Sequence, residues 1–206
     1  MYVPGHFAEQ DEEVIWSLIE SHPFALLVTH DAEGFHATHM PFLADREGRR
    51  LTGHIARANP QPARTDGEAM IVFSGPDAYV SPNWYPSKAA DGRAVPTWNY
   101  EAVHLYGRLT WRDEPEWKRR HLTALSERFE RDEPRPWTLA EAPADYLDKL
   151  FRGLIGLEFA VERIEAQRKL SQNRRADNDG VIAGLRRAGD AGSLAIAEAM
   201  EKLDRT

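Results

Sequence analysis

The sequence of 206 residues contains no cysteine and no long apolar run. The lack of cysteine excludes disulfides, thiolate metal sites, iron–sulfur clusters and cysteine nucleophiles. No apolar stretch approaches the ~18 residues that a membrane-spanning helix needs. The first residues also lack the basic region and apolar stretch of a signal peptide. We therefore expect a cytoplasmic protein with no membrane segment, in which any redox chemistry is carried by a bound cofactor.

Several signatures of catalysis and nucleotide binding are missing as well. The sequence has no nucleophile elbow of the Gly-x-Ser-x-Gly type, no P-loop and no Gly-x-Gly-x-x-Gly fingerprint. His36 and His39 are three residues apart, so a β-strand would direct them to opposite faces, where they could not chelate one ion. We therefore expect neither a serine hydrolase nor a metal centre.

The charge distribution bears on the kind of partner. The chain has 33 acidic and 26 basic residues, a net charge of −7. Nucleic-acid affinity depends largely on neutralising phosphates, so this balance disfavours a broad nucleic-acid footprint. Residues 163–187 are the one candidate anion-facing region, with seven basic and three acidic side chains. The alternative interpretation is an ordinary solvated surface.

Hydrophobic periodicity predicts both strands and helices. Alternating or continuous apolar runs predict strands at 24–29, 35–44, 51–55, 70–73, 78–81, 97–112 and 155–164, with a turn at Gly75-Pro76-Asp77. Helical spacing predicts helices at 11–21, 114–130, 144–151, 177–188 and 190–203, and residues 86–94 are expected to form a polar loop.

The connections between the first strands are too short for parallel crossovers. The pattern therefore predicts a mainly β protein with packed helices (α+β), an antiparallel barrel with C-terminal helices. We expect one domain over residues 1–206, with the barrel at about 22–170, a helical insertion at about 114–151 and a helical tail at about 177–204.

Four polar clusters interrupt this pattern and are candidates for a binding site. Each has a structural interpretation, such as a core aromatic residue, an interior histidine or a surface ion pair. Together they offer aromatic surface, amide and hydroxyl partners and a guanidinium, which suit a flat phosphorylated heterocycle. The clusters are Thr38-His39-Met40, His54 with Arg57 and Asn59, Trp98-Asn99, and Lys169 with Ser171, Gln172 and Asn173.

Six motifs, in order along the chain, resemble the PaiB family of FMN-binding negative transcriptional regulators. They are MYVP followed by His6-Phe7, THMP at 38–41, GHIARANP at 53–60, GPDAYVSPNWY at 75–85, VPTWNY at 95–100 and KLSQN at 169–173. The resemblance implies an FMN-binding split β-barrel of the pyridoxamine-phosphate-oxidase-like kind. It also implies a homodimer with FMN at the subunit interface.

The resemblance also implies roles for individual residues. Thr38, His39 and Met40 would line the flavin, and His54, Arg57 and Asn59 would hold the phosphate end of the ribityl chain. The remaining candidates would close the pocket from the partner subunit: Trp98, Asn99, Lys169, Ser171, Gln172 and Asn173. The tail helix, with Leu194, Ala197, Met200 and Leu203 on one face, would serve as a docking face or a dimer contact.

Three functions stay open at this point. One is a regulator that uses flavin as a bound ligand, although no helix-turn-helix signature is present and the acidic charge makes DNA a doubtful partner. The alternative is an FMN-dependent oxidoreductase acting on a small molecule or on reduced nicotinamide. The third is a partner-binding barrel without cofactor. No side chain is identified as a catalytic acid or base, so enzyme activity is undecided.

Overall fold

A computed structural model describes residues 1–64 and 67–203, and within these ranges the chain forms eight β-strands and six α-helices. The strands are β1 (Ala8–Glu9), β2 (Phe24–Asp31), β3 (Gly34–Pro41), β4 (Leu43–Asp45), β5 (Arg50–Ala56), β6 (Glu68–Val80), β7 (Thr97–Arg112) and β8 (Leu154–Lys169). The helices are α1 (Glu12–Ser21), α2 (Lys88–Asp91), α3 (Pro115–Phe129), α4 (Ala144–Arg152), α5 (Asn178–Ala188) and α6 (Ala191–Leu203).

The strands form one sheet in the order β3-β2-β6-β7-β8-β5-β4, and β1 pairs with β8 off this path. Strand β2 is antiparallel to β3 and β6, and β5 is antiparallel to β4 and β8. In the β2–β3 hairpin Phe24 lies opposite Pro41 and His30 opposite Phe35. The pairs β2–β3 and β4–β5 are joined by the short connections that predict antiparallel strands, whereas β2–β6 and β5–β8 join strands that are distant in the sequence.

The chain divides into two compact units. Unit 1 comprises Met1–Leu18, Ser74–His104 and the chain from Glu165 onward, and unit 2 comprises Ile19–Phe73 and Leu105–Ile164. Strands β6, β7 and β8 each contribute residues to both units.

The core of unit 1 is formed largely by its two C-terminal helices. The carboxylate of Asp190 accepts hydrogen bonds from the backbone N–H and the hydroxyl of Ser193, which supports the start of α6. Ala197 and Met200 are 0% and 1% exposed and pack in this core. The middle of the face that was a candidate for docking is therefore buried within its own unit, whereas Leu194 at its start is 37% exposed.

In unit 2, helix α3 packs closely on β8. A Cβ atom at Gly156 would lie 2.1 Å from the ring of Trp117, so only glycine allows this approach. A second apolar cluster holds α3 against α4, through Leu122, Leu139, Leu147 and Phe151. These contacts position the helical segment that borders the cleft described below.

Three local expectations were wrong. The turn at Gly75-Pro76-Asp77 does not form, because β6 runs through it without a break. Buried positions shift from Ile71 and Phe73 to Ala78 and Val80, so the alternation changes phase, as at a β-bulge. A Cβ atom at Gly75 would lie 2.9 Å from Leu18, so this glycine permits a close approach instead of a turn.

The other two corrections are smaller. The strand expected at 35–44 is divided between β3 and β4, because the buried residue Phe42 interrupts it. The polar loop expected at 86–94 contains the short helix α2.

Candidate functional site

A cleft of about 490 Å³ lies beside Arg57 in unit 2. Arg57 directly follows β5, and the cleft is bordered by the start of α3 and the end of α4. Three cations and two carboxylates line it, together with two apolar side chains: Arg57, Lys118, Arg152, Asp113, Asp148, Pro115 and Phe151. The lining therefore carries a net positive charge.

Arg57 is held by groups at the end of α4. Its Nε donates to the carbonyl of Arg152 at 2.7 Å, and its Nη2 donates to the carbonyl of Leu154 at 3.1 Å and to the carboxylate of Asp113. The last carbonyls of a helix have no hydrogen-bond partner within the helix. The guanidinium of Arg57 supplies such a partner to the carbonyl of Arg152, the last residue of α4. Within the described part of the chain, Nη1 of Arg57 makes no hydrogen bond, which leaves donors available on the side chain.

The buried ammonium of Lys118 supports the same carboxylate. Lys118 is 4% exposed, and its Nζ donates to Asp113 Oδ1 at 2.9 Å and to the carbonyl of Phe151 at 2.6 Å. Hydrogen bonds from Arg57 and then Lys118 lower the pKa of Asp113 to about 2. Asp113 is therefore ionised near neutral pH and shared by two cations, so the three groups together carry one positive charge.

A second polar network fixes the turn after β5 against β3. The amide of Asn59 donates to Thr38 Oγ1 at 2.9 Å, and Thr38 donates to Gln61 Oε1 at 2.6 Å. Gln61 in turn donates from Nε2 to the hydroxyl of Thr29 at 3.0 Å. The structure thus brings the candidates Thr38 and Asn59 together. Gln61, which is 1% exposed, was not predicted, and its only sequence signal is a polar side chain just after Asn59-Pro60.

The other two candidates on β3 point in different directions. Met40 is 3% exposed, and its Cε lies 2.4 Å from the position that a Cβ atom on Gly53 would take. His39 is on the opposite face of the strand, exposed and stacked on Phe24 with ring centroids 6.1 Å apart. The side chains of Met40 and His39 therefore cannot touch the same face of one ligand.

The face that carries His39 is apolar and largely exposed. Phe24 and Phe35 are 65% and 80% exposed, and the ring of His30 packs edge-on against Phe35 at 4.9 Å. We call this surface the β2–β3 face. It comprises Phe24, Leu26, Val28, His30, Phe35, Ala37 and His39.

His54 lies beneath helix α3, where its ring is hydrogen-bonded to His121. Its Nδ1 is 3.1 Å from Nε2 of His121, and Nδ1 of His121 is 3.1 Å from the hydroxyl of Thr52. Burial lowers the pKa of His54, and burial together with the neighbouring His54 lowers the pKa of His121 to about 4. Both imidazoles are thus neutral near neutral pH and support α3 on β5.

The remaining candidates belong to unit 1, where several are hydrogen-bonded internally. Asn99 is 0% exposed, and its amide donates to Ser171 Oγ at 3.0 Å. Gln172 accepts from the backbone N–H of Leu170 at 2.7 Å and donates to the carbonyl of Arg168 at 2.6 Å. These contacts secure the segment after β8.

Lys169, Trp98 and Asn173 are more accessible. The ammonium of Lys169 donates to Thr97 Oγ1 at 2.7 Å and to the carbonyl of Trp98, and partial burial lowers its pKa. Trp98 is 54% exposed and packs edge-on against Tyr79, and Asn173 is exposed. These three could still meet a ligand, and their role stays a prediction.

The basic segment 163–187 is largely engaged within the chain. The ion pair of Arg168 with the buried Glu101 and with Glu9 is the most enclosed of these contacts. Other basic side chains of the segment bond to protein groups or stack on aromatic rings: Arg163, Lys169, Arg174, Arg186 and Arg187. Most of these side chains therefore make contacts within the chain, and carboxylates pair with Arg168, Arg174 and Arg186.

Two further findings concern residues 1–64 and 67–203. No group of three or more histidine or acidic side chains there is arranged to hold a metal ion. No helix in these ranges has the length and apolar character required to cross a membrane.

The chain is similar to other proteins along nearly its whole length. It is 32% identical over 206 residues to "Protease synthase and sporulation protein PAI 2" of Bacillus subtilis (strain 168), covering 98% of this chain and 97% of that protein. It is 29% identical over 253 residues to an uncharacterized protein of Aspergillus fumigatus, covering 98% and 97%.

Solved structures show the same fold at low sequence identity. The flavocytochrome Anf3 from Azotobacter vinelandii matches with a TM-score of 0.59 at 16% identity, over 81% of this chain and 72% of that one. The FAD and heme binding protein from Mycobacterium smegmatis matches with a TM-score of 0.57 at 18% identity, over 79% and 73%. The predicted fold class, an antiparallel FMN-binding split β-barrel with packed helices, is confirmed.

The family itself follows from a sequence model described as "Putative FMN-binding domain", which matches residues 1–163. Together with the likeness to PAI 2, this match confirms the resemblance carried by the six motifs. The chain therefore belongs to the PaiB family of FMN-binding proteins, and its cofactor is FMN.

Proposed function

We propose that this chain is a homodimer that binds FMN as the ligand of a regulatory protein. The flavin ring lies against the β2–β3 face, and the phosphate occupies the Arg57 cleft. Trp98, Lys169 and Asn173 approach the flavin from the partner subunit, as the PaiB resemblance implies.

The exposed β2–β3 face carries this proposal. Monomeric soluble proteins rarely expose large contiguous apolar patches, and such patches usually mark binding surfaces. Phe24 and Phe35 are the most exposed large side chains on this face, at 65% and 80%. A planar tricyclic ring and a second subunit are occupants of the right shape and polarity to cover a sheet face of this kind.

The Arg57 cleft suits the phosphate end of the cofactor. A phosphate dianion is well matched by a guanidinium with free donors, and Nη1 of Arg57 is available. The cleft lining has a net positive charge, which favours an anion. The residues present therefore fit FMN better than riboflavin, which lacks the phosphate.

Bound flavin supplies one- and two-electron transfer, whereas the residues of this chain bind and orient it. The buried imidazoles of His54 and His121 are neutral and bonded to each other, so they are supports and not proton donors to a substrate. Neither imidazole is therefore assigned a catalytic role in this proposal, and the choice between ligand and redox cofactor is left to the kinetic assay below.

The test compares two flavins on three proteins. FMN and riboflavin are titrated into the flavin-free parent, Arg57→Ala and the control Arg108→Ala, which removes an exposed guanidinium of unit 2. Loss of a charge-assisted contact worth about 1.5–3 kcal/mol should weaken FMN binding about 10- to 100-fold in Arg57→Ala and leave riboflavin unchanged. A parent that binds neither flavin, or an Arg57→Ala variant that binds FMN like the parent, overturns the proposal.

A kinetic assay separates the ligand role from the enzyme alternative. The holoprotein is mixed with NADH or NADPH in air, and consumption of the nicotinamide is followed. We expect no acceleration over free FMN. Rapid turnover would replace the ligand role with that of an FMN-dependent oxidoreductase.

A further inference from the structure

Lys118 is a buried cation beside the proposed phosphate site, and neither the sequence motifs nor the family resemblance assigned it a role. It lies on α3, Asp113 lies between β7 and α3, and Arg57 follows β5. The carboxylate oxygen Oδ1 of Asp113 accepts hydrogen bonds from both Arg57 Nη2 and Lys118 Nζ. Tertiary packing thus places two cations on one carboxylate at the edge of the cleft.

The charge balance of these three groups decides whether Arg57 can attract an anion. If Arg57 and Asp113 were alone, they would form a neutral pair, and a phosphate approaching Arg57 would also meet the carboxylate. Lys118 compensates that carboxylate from its buried side, since its side chain is 5% exposed while that of Asp113 is 58% exposed. Water screens a buried charge less than an exposed one, so the burial of Lys118 strengthens this compensation although Asp113 itself is solvated.

The position of Lys118 is fixed by a second bond. Its Nζ donates to the carbonyl of Phe151 at 2.6 Å, at the end of α4, where a helix has a partial negative charge. The ammonium is therefore held on the protein side of Asp113. It neutralises the carboxylate while its side chain, which also borders the cleft, is 5% exposed.

We propose that Lys118 is a specificity-determining residue for the phosphate of FMN, acting through Asp113 to leave the charge of Arg57 available. This inference rests on the proposed function, because it takes the Arg57 cleft as the phosphate site. It adds that discrimination between FMN and riboflavin depends on a nearly buried residue that is hydrogen-bonded to Asp113.

The experiment uses charge compensation. Dissociation constants for FMN and riboflavin are measured on the flavin-free parent, Lys118→Met, the double variant Asp113→Asn/Lys118→Met, and the control Lys149→Met. Lys149 is an exposed cation on α4 outside the cleft lining. Riboflavin affinity and circular dichroism report whether each variant is folded.

We expect Lys118→Met to weaken FMN binding about tenfold, a loss near 1.4 kcal/mol, with riboflavin binding within about twofold of the parent. In the double variant both Asp113 and Lys118 are uncharged, so Arg57 gives the group the same net charge of one as in the parent. The preference of the double variant for FMN should therefore return to that of the parent. Lys149→Met should leave both constants unchanged.

The outcomes separate this inference from the proposed function. A parent that binds neither flavin overturns both. If the parent prefers FMN, three results overturn only the role of Lys118: an unchanged preference in Lys118→Met, an equal loss of both flavins, or a loss of FMN that the double variant does not restore.

Discussion

The imidazoles of His54 and His121 are joined by a 3.1 Å hydrogen bond between Nδ1 and Nε2, beneath the indole ring of Trp117. This pair links the second half of β5 to α3. Because burial disfavours the charged form of both imidazoles, the pair makes the stability of the protein depend on pH.

The pKa of His121 is about 4 in the folded chain, against an ordinary value of 6.5. Between these values the unfolded state binds more protons, so the free energy of unfolding falls as the pH is lowered from 6.5 towards 4. One proton contributes at most about 1.4 kcal/mol per pH unit. Urea denaturation across this range should show a smaller slope for His121→Gln than for the parent. The exposed control His6→Gln should keep the parent slope, and equal slopes in all three proteins would contradict the assignment.

The exposed β2–β3 face should control subunit association. Phe35→Ser removes the most exposed ring of that face, so we expect the dimer to shift towards monomer in sedimentation velocity at micromolar concentration. The matched control is Phe129→Ser, which removes a 49% exposed ring on α3 and should leave the association unchanged. A parent that is monomeric at high concentration with FMN present would refute the homodimer.

Arg168 is expected to be important for stability. Its side chain is paired with Glu101, which is 8% exposed, and with Glu9. Arg168→Met leaves a buried carboxylate without its cation, which typically costs about 3–5 kcal/mol. The control Arg108→Met breaks only exposed pairs at 3.7 Å, which contribute about 1 kcal/mol or less. Chemical denaturation gives the free energy of unfolding of both variants. Equal decreases would show that the buried Arg168 pair stabilises the protein no more than the exposed pairs of Arg108 do.

Substitution of Gly184 in α5 is expected to destabilise the protein. Alanine is about 1 kcal/mol better than glycine in a helix interior. Here, however, a Cβ atom would lie 2.2 Å from the ring of Trp84. Such overpacking costs about 1–3 kcal/mol, so Gly184→Ala should lower the Tm. Gly5→Ala, where nothing lies within 4 Å of the added atom, is the control and should leave the Tm unchanged.

The segment 163–187 is not expected to bind DNA. Its basic side chains are largely engaged within the chain, and the net charge of the protein is −7. In a gel shift at low salt we expect no difference between a promoter fragment and random duplex of the same length. A sequence-selective complex that weakens steeply with salt would instead support direct operator binding.

Local signals were sufficient for most of the secondary structure. The alternation over Thr97–Arg112 predicted β7 at its observed bounds, and helical spacing predicted α3 and α4 to within one residue at each end. The failure at Gly75-Pro76-Asp77 has a tertiary cause. A glycine–proline pair is compatible with a turn or with a strand that changes the phase of its alternation, and β6 continues through this pair where Leu18 and Glu101 approach Gly75 closely.

In the candidate site, too, some features could be predicted from the sequence and others depended on tertiary contacts. The sequence by itself determined the family, the cofactor and the antiparallel fold, because ordered motifs and periodicity are properties of neighbouring residues. Strand alternation already implies that His39 and Met40 point to opposite faces, but only the tertiary structure decided that Met40 is the buried one, that Asn99 is internal, and that Lys118 and Asp113 meet Arg57. Side-chain direction follows from which face of a strand is covered, and contacts between residues some sixty positions apart follow from packing. No local pattern contains that information.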